Sequence, residues 1–363
     1  MRARQWEARA RFEVAEADYR SARGTLARLR LRALAYGWYP LRLGVACLSR
    51  GRPDIAVVCS NTFYAPRVAQ IASRASGLPM VHWVFDLYPD VLVAAGALRS
   101  GSRRERALRR CVRDTFNLAS ANVFLGHLLL QQAEERFGPI PRATVIPVGG
   151  DAAPFAEHSP GPRAVGEPVR VLYCGNLGRL HDVATLLGVV RAGIPDGIAL
   201  EIRGNGAGFR EVEQALAGAA APGVTLGPPL PDVEWLGAMK RADVALVTMR
   251  PGAEAILMPS KTYSALAAGQ AVIAVCPERS DLSKTVAECG WRVEPGDVEG
   301  LRALLARLGR DPVDLLKRRR AAWEAGKGLY DQGMLGDAWS GVLAGAVEWH
   351  ARLHGSMSGG KAL

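Results

Sequence analysis

Val247-Thr248-Met249-Arg250-Pro251-Gly252-Ala253-Glu254 runs through Met258-Pro259-Ser260-Lys261 and Ala265-Leu266-Ala267-Ala268-Gly269 into Ala271-Val272-Ile273-Ala274-Val275. This stretch decides the reading of the chain. It reads as a strand end, a loop carrying one acid, a helix capped by Ser260, and the next strand. Ser is a favoured N-cap, and Lys261 falls in the first helical turn, where free backbone N–H groups and the positive helix end favour an anion. A cation added there argues for phosphate. Gly269 ends the short helix, and the apolar run after it is typical of a strand buried on both faces.

Outward from this unit the same αβ alternation recurs. Strands are predicted at Asp54–Cys59, Met80–Phe85, Asn122–Leu125 and Ala143–Val148, then at Val169–Cys174, Ala199–Arg203, Val224–Leu226, Val244–Val247 and, as an edge, Gly290–Val293. Helices are predicted over Pro66–Ser76, stopped by Gly77, over Asp297–Leu308 and over Leu335–Leu353. Alternation of this kind implies mostly parallel sheets with right-handed crossovers. A chain of 363 residues is long for one core, so two domains are expected. Residues 1–150 form the first, 151–168, rich in Gly, Pro and Ser, the linker, and 169–334 the second. Residues 335–363 are expected to return to the first.

Hydrophobic residues make up 49% and charged residues 22%, which excludes a disordered chain. The formal charge of +11 comes mostly from Arg and is uneven, pointing to an acidic membrane surface, phosphorylated substrates or nucleic acid. Arg20 to Arg52 hold eight arginines and no acid, interleaved with Tyr36, Trp38 and Tyr39, and a second cluster runs from Arg103 to Arg113. Both are candidates for an anionic bilayer, against the alternative of solvated helix faces. No nucleic-acid recognition motif accompanies the charge. The six cysteines are scattered singly without zinc or disulfide spacing. No apolar signal segment opens the chain, and Leu31–Leu48 is interrupted by Arg32, Pro40 and Arg42. A cytoplasmic, at most peripheral, protein is therefore expected.

Three stretches carry a resemblance to a known family: Arg250–Val275, Val171-Leu172-Tyr173-Cys174-Gly175-Asn176-Leu177-Gly178-Arg179-Leu180-His181-Asp182, and His82-Trp83-Val84-Phe85-Asp86-Leu87-Tyr88-Pro89-Asp90. They are similar to the family 4 glycosyltransferases with the GT-B fold, in the subgroup whose donor helix opens with Pro-Ser-Lys. The resemblance spans about Pro53 to about Leu308. It implies two Rossmann-like parallel-sheet domains facing across a cleft, the first abbreviated here because Arg-rich sequence replaces the usual opening strand and Gly-rich loop. It also implies a hexosyltransferase using a nucleotide diphosphate sugar as co-substrate, with no cofactor or metal. The acceptor would be a glycan or lipid-linked glycan of bacterial surface polysaccharide synthesis.

Retaining sugar transfer builds negative charge on the departing pyrophosphate, so cations and N–H donors must gather there. The turn Gly175-Asn176-Leu177-Gly178-Arg179 lets backbone approach phosphates, and Lys261 supplies a full charge. His181 is a further donor. The family's usual Arg is replaced by Asn176, leaving Arg179 or Arg203 to take its place. Glu254, in a loop of small residues, is expected to be an accessible acceptor for sugar hydroxyls. Ser260 belongs to the anion-binding turn, and Ser264 stands where the family carries a ribose-binding acid. Asp86, preceded by Phe85 rather than the family's usual His or Gln, is expected to orient the acceptor hydroxyl or take its proton, with turn capping as the alternative; His82 is a weaker helper. Two other readings stay open, a nucleotide-sugar epimerase of the same fold and a catalytically silent donor-binding or scaffold protein.

Overall fold

A computed structural model describes residues 37–49, 53–60, 64–94, 96–164, 166–217, 221–254, 256 and 258–358. The N-terminal arginines before residue 37, and Arg50 and Arg52, lie outside the described residues.

The expected strands form two sheets. One has four strands, β1 (Ala56–Cys59), β2 (Met80–Val84), β3 (Ala121–Phe124) and β4 (Ala143–Val145), in sequence order. The other has six: β5 (Val169–Asn176), β6 (Ile198–Asn205), β7 (Val224–Gly227), β8 (Val244–Thr248), β9 (Ala271–Val275) and β10 (Gly290–Val293). Their order is β10-β9-β8-β5-β6-β7, and Gly290–Val293 is an edge as expected. The registered pairings are parallel, from Ala56 opposite Met80 in the first sheet to Val169 opposite Ile198 and Val244 opposite Ala271 in the second. β8 and β9 are buried along their whole length, as their uninterrupted apolar runs require.

The chain divides into two compact units. One comprises Met1–Asn122, Ile140–Arg142 and Leu343–Leu363, the other Val123–Pro139 and Ala143–Val342. In the first, helix Tyr39–Leu48 packs on helix Ala65–Ser76, around Cys47, Ala65, Ala69 and Leu78. Gly77 ends the latter helix with φ 65°, donating its N–H to Ser73 O. From the long helix Gln332–Ser358, Trp349 lies under the Arg142 guanidinium at 4.0 Å. Helix Arg103–Leu118, not singled out from sequence, is capped by Ser102 and exposes Arg103, Arg104, Arg106, Arg110 and Arg113. No helix among the described residues is long and apolar enough to cross a membrane.

The second unit buries both faces of its sheet. One side holds Val171, Tyr173, Ile202, Leu246 and Ile273, the other Leu172, Val247, Val272 and Ala274. The stretch 151–168 is more than a spacer: Phe155, in a 3₁₀ turn over Ala153–Phe155, is 1% exposed and joins that second core. A buried ion cluster fixes the N-terminal end of β8. Asp243 accepts from Arg319 Nη1 at 2.9 Å, Arg163 Nε at 3.2 Å and the Arg170 backbone N–H at 3.0 Å. Removing one partner of such a cluster strands the others' charge in a poor solvent. Asp243→Ala should therefore lower the stability of this unit by about 3 kcal/mol, measured as an earlier midpoint in denaturant. An unchanged midpoint would show that the two arginines find water instead.

Candidate functional site

Strand order in the second sheet reverses beside β5. From β5 the chain steps outward to β6 and β7 on one side, then returns to build β8, β9 and β10 on the other. In parallel sheets the crevice at such a reversal, past the carboxyl ends of the strands, is where ligands bind. Here those ends are Gly175-Asn176 of β5 and Thr248 of β8.

Glycines allow the corner to form. Gly204 crosses β5 so closely that a Cβ there would lie 2.0 Å from the Gly175 carbonyl oxygen. Gly206, at φ 112°, would bring a Cβ to 2.5 Å from both Asn176 Oδ1 and the Leu177 carbonyl. Gly175 itself has φ 126°, a conformation that side chains disfavour. The run Gly204-Asn205-Gly206 is thus needed by the turn beside it, a requirement that appears only once β5 and β6 are paired.

Lys261 reaches back from the first position of helix Lys261–Ala267 into this corner. Its Nζ donates to the Tyr173 phenolic oxygen at 2.6 Å and to the Asn176 carbonyl at 3.1 Å, and stands 4.1 Å from the centre of the Tyr173 ring. The Tyr173 hydroxyl donates to the same Asn176 carbonyl at 3.1 Å. An ammonium has three N–H donors, so two are used. Burial lowers the Lys261 amine from its ordinary range to about 7, and no described carboxylate is paired with it to restore the charge. The corner therefore has an unmet affinity for anions.

His181 packs edge-on to Tyr173, with ring centroids 6.4 Å apart, and its Nδ1 lies 2.6 Å from the Thr248 carbonyl. A carbonyl only accepts, so Nδ1 carries the proton. Burial, and secondarily the Lys261 charge, depress His181 to about 4. The imidazole is therefore neutral with a bare Nε2, which corrects the expectation of a ready phosphate donor: His181 donates there only after taking up a proton.

The other expected residues divide. Gly178 closes the turn, its carbonyl accepting from the His181 backbone at 3.1 Å, and Arg179 is exposed beside it. Arg203 is not a free cation, because its Nε donates to Glu201 Oε1 at 2.7 Å. Ser260 holds the N-cap position, as expected, but does not cap the helix with its side chain. Its backbone is already helical at φ −59°, ψ −27°, and its side chain makes no capping bond, since a cap needs an extended backbone. Glu254 is half-buried rather than openly accessible, because Met249, Ala253 and Ile256 fold the loop inward; its Oε2 is buried without a partner among the described residues. Ser264 lines a crevice of about 60 Å³ with Lys261, Cys174, Trp235 and Gln270.

In the other unit, Asp86 follows β2 and is half-buried, its backbone N–H donating to the Ser60 hydroxyl at 3.0 Å; burial raises its carboxyl. His82 is 3% exposed and packs 5.2 Å from Phe116, and burial lowers it to about 4, so it belongs to the core.

Sequence reasoning passed over Tyr173 and Thr248. The signal was an aromatic residue with a polar tip two residues before a glycine corner, in an otherwise aliphatic strand.

No family model matches the chain. In sequence it is similar to the probable glycosyltransferase WbjE of Pseudomonas aeruginosa, 27% identical over 292 residues, 77% of this chain and 72% of that protein. Among solved structures, HepE of Anabaena in complex with UDP matches with a TM-score of 0.64 at 15% identity, over 84% of this chain and 82% of HepE. Sucrose-phosphate synthase from Thermosynechococcus elongatus matches with a TM-score of 0.62 at 17% identity, over 86% and 79%. The α/β fold with two parallel sheets is that of GT-B glycosyltransferases, and the sequence kinship is to a glycosyltransferase as well.

The lysine gives the corner a pH dependence of definite sign. Below pH 7 the amine is charged before an anion arrives; above pH 7 the anion must draw a proton onto it. Binding of inorganic pyrophosphate at pH 8 should take up close to one proton, seen in calorimetry as a binding heat that changes with buffer ionisation enthalpy. Affinity should weaken as pH rises past 7. Lys261→Ala should abolish the uptake; uptake surviving in that variant would place the proton elsewhere, with His181 next in line.

Proposed function

We propose that the chain is a family 4 glycosyltransferase that moves a hexose, with retention and without a metal, from a nucleotide diphosphate sugar to a glycan or lipid-linked acceptor in surface polysaccharide synthesis. One observation carries the reading: a half-buried lysine amine with no acidic partner among the described residues sits at the strand-order reversal, between Tyr173 and the Asn176 carbonyl. UDP is the carrier we favour, on the likeness to HepE in complex with UDP.

In this reading Lys261 meets the diphosphate and is charged by it. As the glycosidic bond breaks, the departing phosphate gains charge, and the ammonium stabilises it more than it stabilised the intact donor. The Gly175–Gly178 turn lets the phosphates approach the backbone. Glu254 Oε2, buried and without a partner among the described residues, gives sugar hydroxyls an acceptor. Ser264 bonds the ribose. Asp86, whose carboxylate is made more basic by burial, takes the acceptor proton.

Incubation with a panel of UDP-sugars should release UDP in step with acceptor glycosylation and be indifferent to EDTA. Lys261→Ala should lower kcat/KM by about 30- to 1000-fold, or about 2–4 kcal/mol of transition-state stabilisation. Asp86→Asn should lose transfer and keep UDP binding. Epimerised sugar formed without acceptor would identify an epimerase, and UDP binding without turnover on any acceptor would identify a silent binding protein.

A further inference from the structure

In the first unit, one face of helix Tyr39–Leu48 is unaccounted for. Pro40, Gly44 and Cys47 point inward, and Gly44 approaches helix Ala65–Ser76 so closely that a Cβ would lie 3.0 Å from Val68 Cγ1. The opposite face carries Trp38, Leu41, Val45 and Leu48, exposed by 56%, 56%, 59% and 56%. Spacings of three, four and three residues place them in one line along the helix. Ile71, on the neighbouring helix, is 56% exposed as well. Single exposed apolar residues are ordinary, but four in register along one helix form a stripe.

What surrounds the stripe selects its partner. Arg74 is exposed three residues after Ile71, and helix Arg103–Leu118, joined to helix Ala65–Ser76 by the Arg67–Asp114 ion pair at 3.2 Å, exposes five arginines. Residues 1–122 contain 21 arginines, no lysine and nine acids, so the chain's whole formal excess of +11 lies in this part. A second copy would bring like charge against like charge. An anionic bilayer offers an apolar interior to the stripe and phosphates to the guanidinium groups, with Trp38 at the level where tryptophan sits in membranes.

We propose that the outward face of helix Tyr39–Leu48, with Trp38, Leu41, Val45 and Leu48 in line on an arginine-rich unit, docks on an anionic lipid bilayer. The stripe enters the headgroup boundary and the helix lies in its plane. This is independent of the donor chemistry, whose residues lie in the other unit.

Flotation of the full chain with vesicles tests it. Vesicles containing phosphatidylglycerol should carry about tenfold more protein than pure phosphatidylcholine vesicles, and high salt should weaken the binding. Leu41→Ser with Val45→Ser and Leu48→Ser should reduce flotation on anionic vesicles about tenfold, while circular dichroism and UDP binding stay as in the parent. A second variant, Arg103→Ser with Arg110→Ser, should lose the preference for anionic lipid but keep its fold. Equal flotation on both vesicle types, or flotation unchanged by the triple serine variant, would overturn the proposal. So would a parent that is dimeric in size-exclusion chromatography and made monomeric by the serines, since the stripe would then be a self-interface.

Discussion

The corner at the strand reversal of the second unit depends on a lysine amine lodged between a phenol and a carbonyl. Tyr173 and Asn176 both receive the Lys261 amine, yet neither carries charge to balance it. Hydrogen bonds from neutral acceptors do not replace the hydration of a full charge, so the amine is depressed to about 7. An anion would supply what is missing. The strand reversal puts the amine where a ligand can arrive, and Gly204 and Gly206 give the turn room to bend toward it.

Much of this was legible in the sequence. Long apolar runs such as Ala271–Val275 identify a strand buried on both faces, and Gly77 and Gly269 do take the left-handed conformation that ends a helix. The pairing of Lys261 with Gly175 was an expectation from family resemblance, and the two do come together: a Cβ at Gly175 would be 3.6 Å from Lys261 Cε. Positions seen only after pairing were harder. Arg203 looks like a free cation in one dimension, but its neighbour across the pleat, Glu201, shares its face of β6 and takes its Nε. Ser260 looks like a cap because capping serines precede helices, whereas here the backbone has already turned helical at that residue. His181 is legible as polar, but not as neutral, because the Thr248 carbonyl that fixes its tautomer is 67 residues away in sequence.

The two units divide their chemistry by charge. The first holds the arginine excess and an outward apolar stripe; the second holds, at its strand reversal, a half-buried lysine amine among neutral dipoles. Surface arginines act at long range and weaken with salt, whereas a desolvated amine acts only at contact and is little screened. Capture of a large anionic surface and discrimination of a small anionic ligand therefore rest on different physics within one chain.

The close crossing of Gly204 over the Gly175 carbonyl has a consequence for how such a protein can diverge. At that floor backbone meets backbone, so no side chain can be introduced to reshape it, and an alanine would have to displace a strand. Variation at this corner is left to the exposed side chains on its rim, such as Asn176 and Arg179. The floor of the turn is thereby fixed while its rim is free to vary.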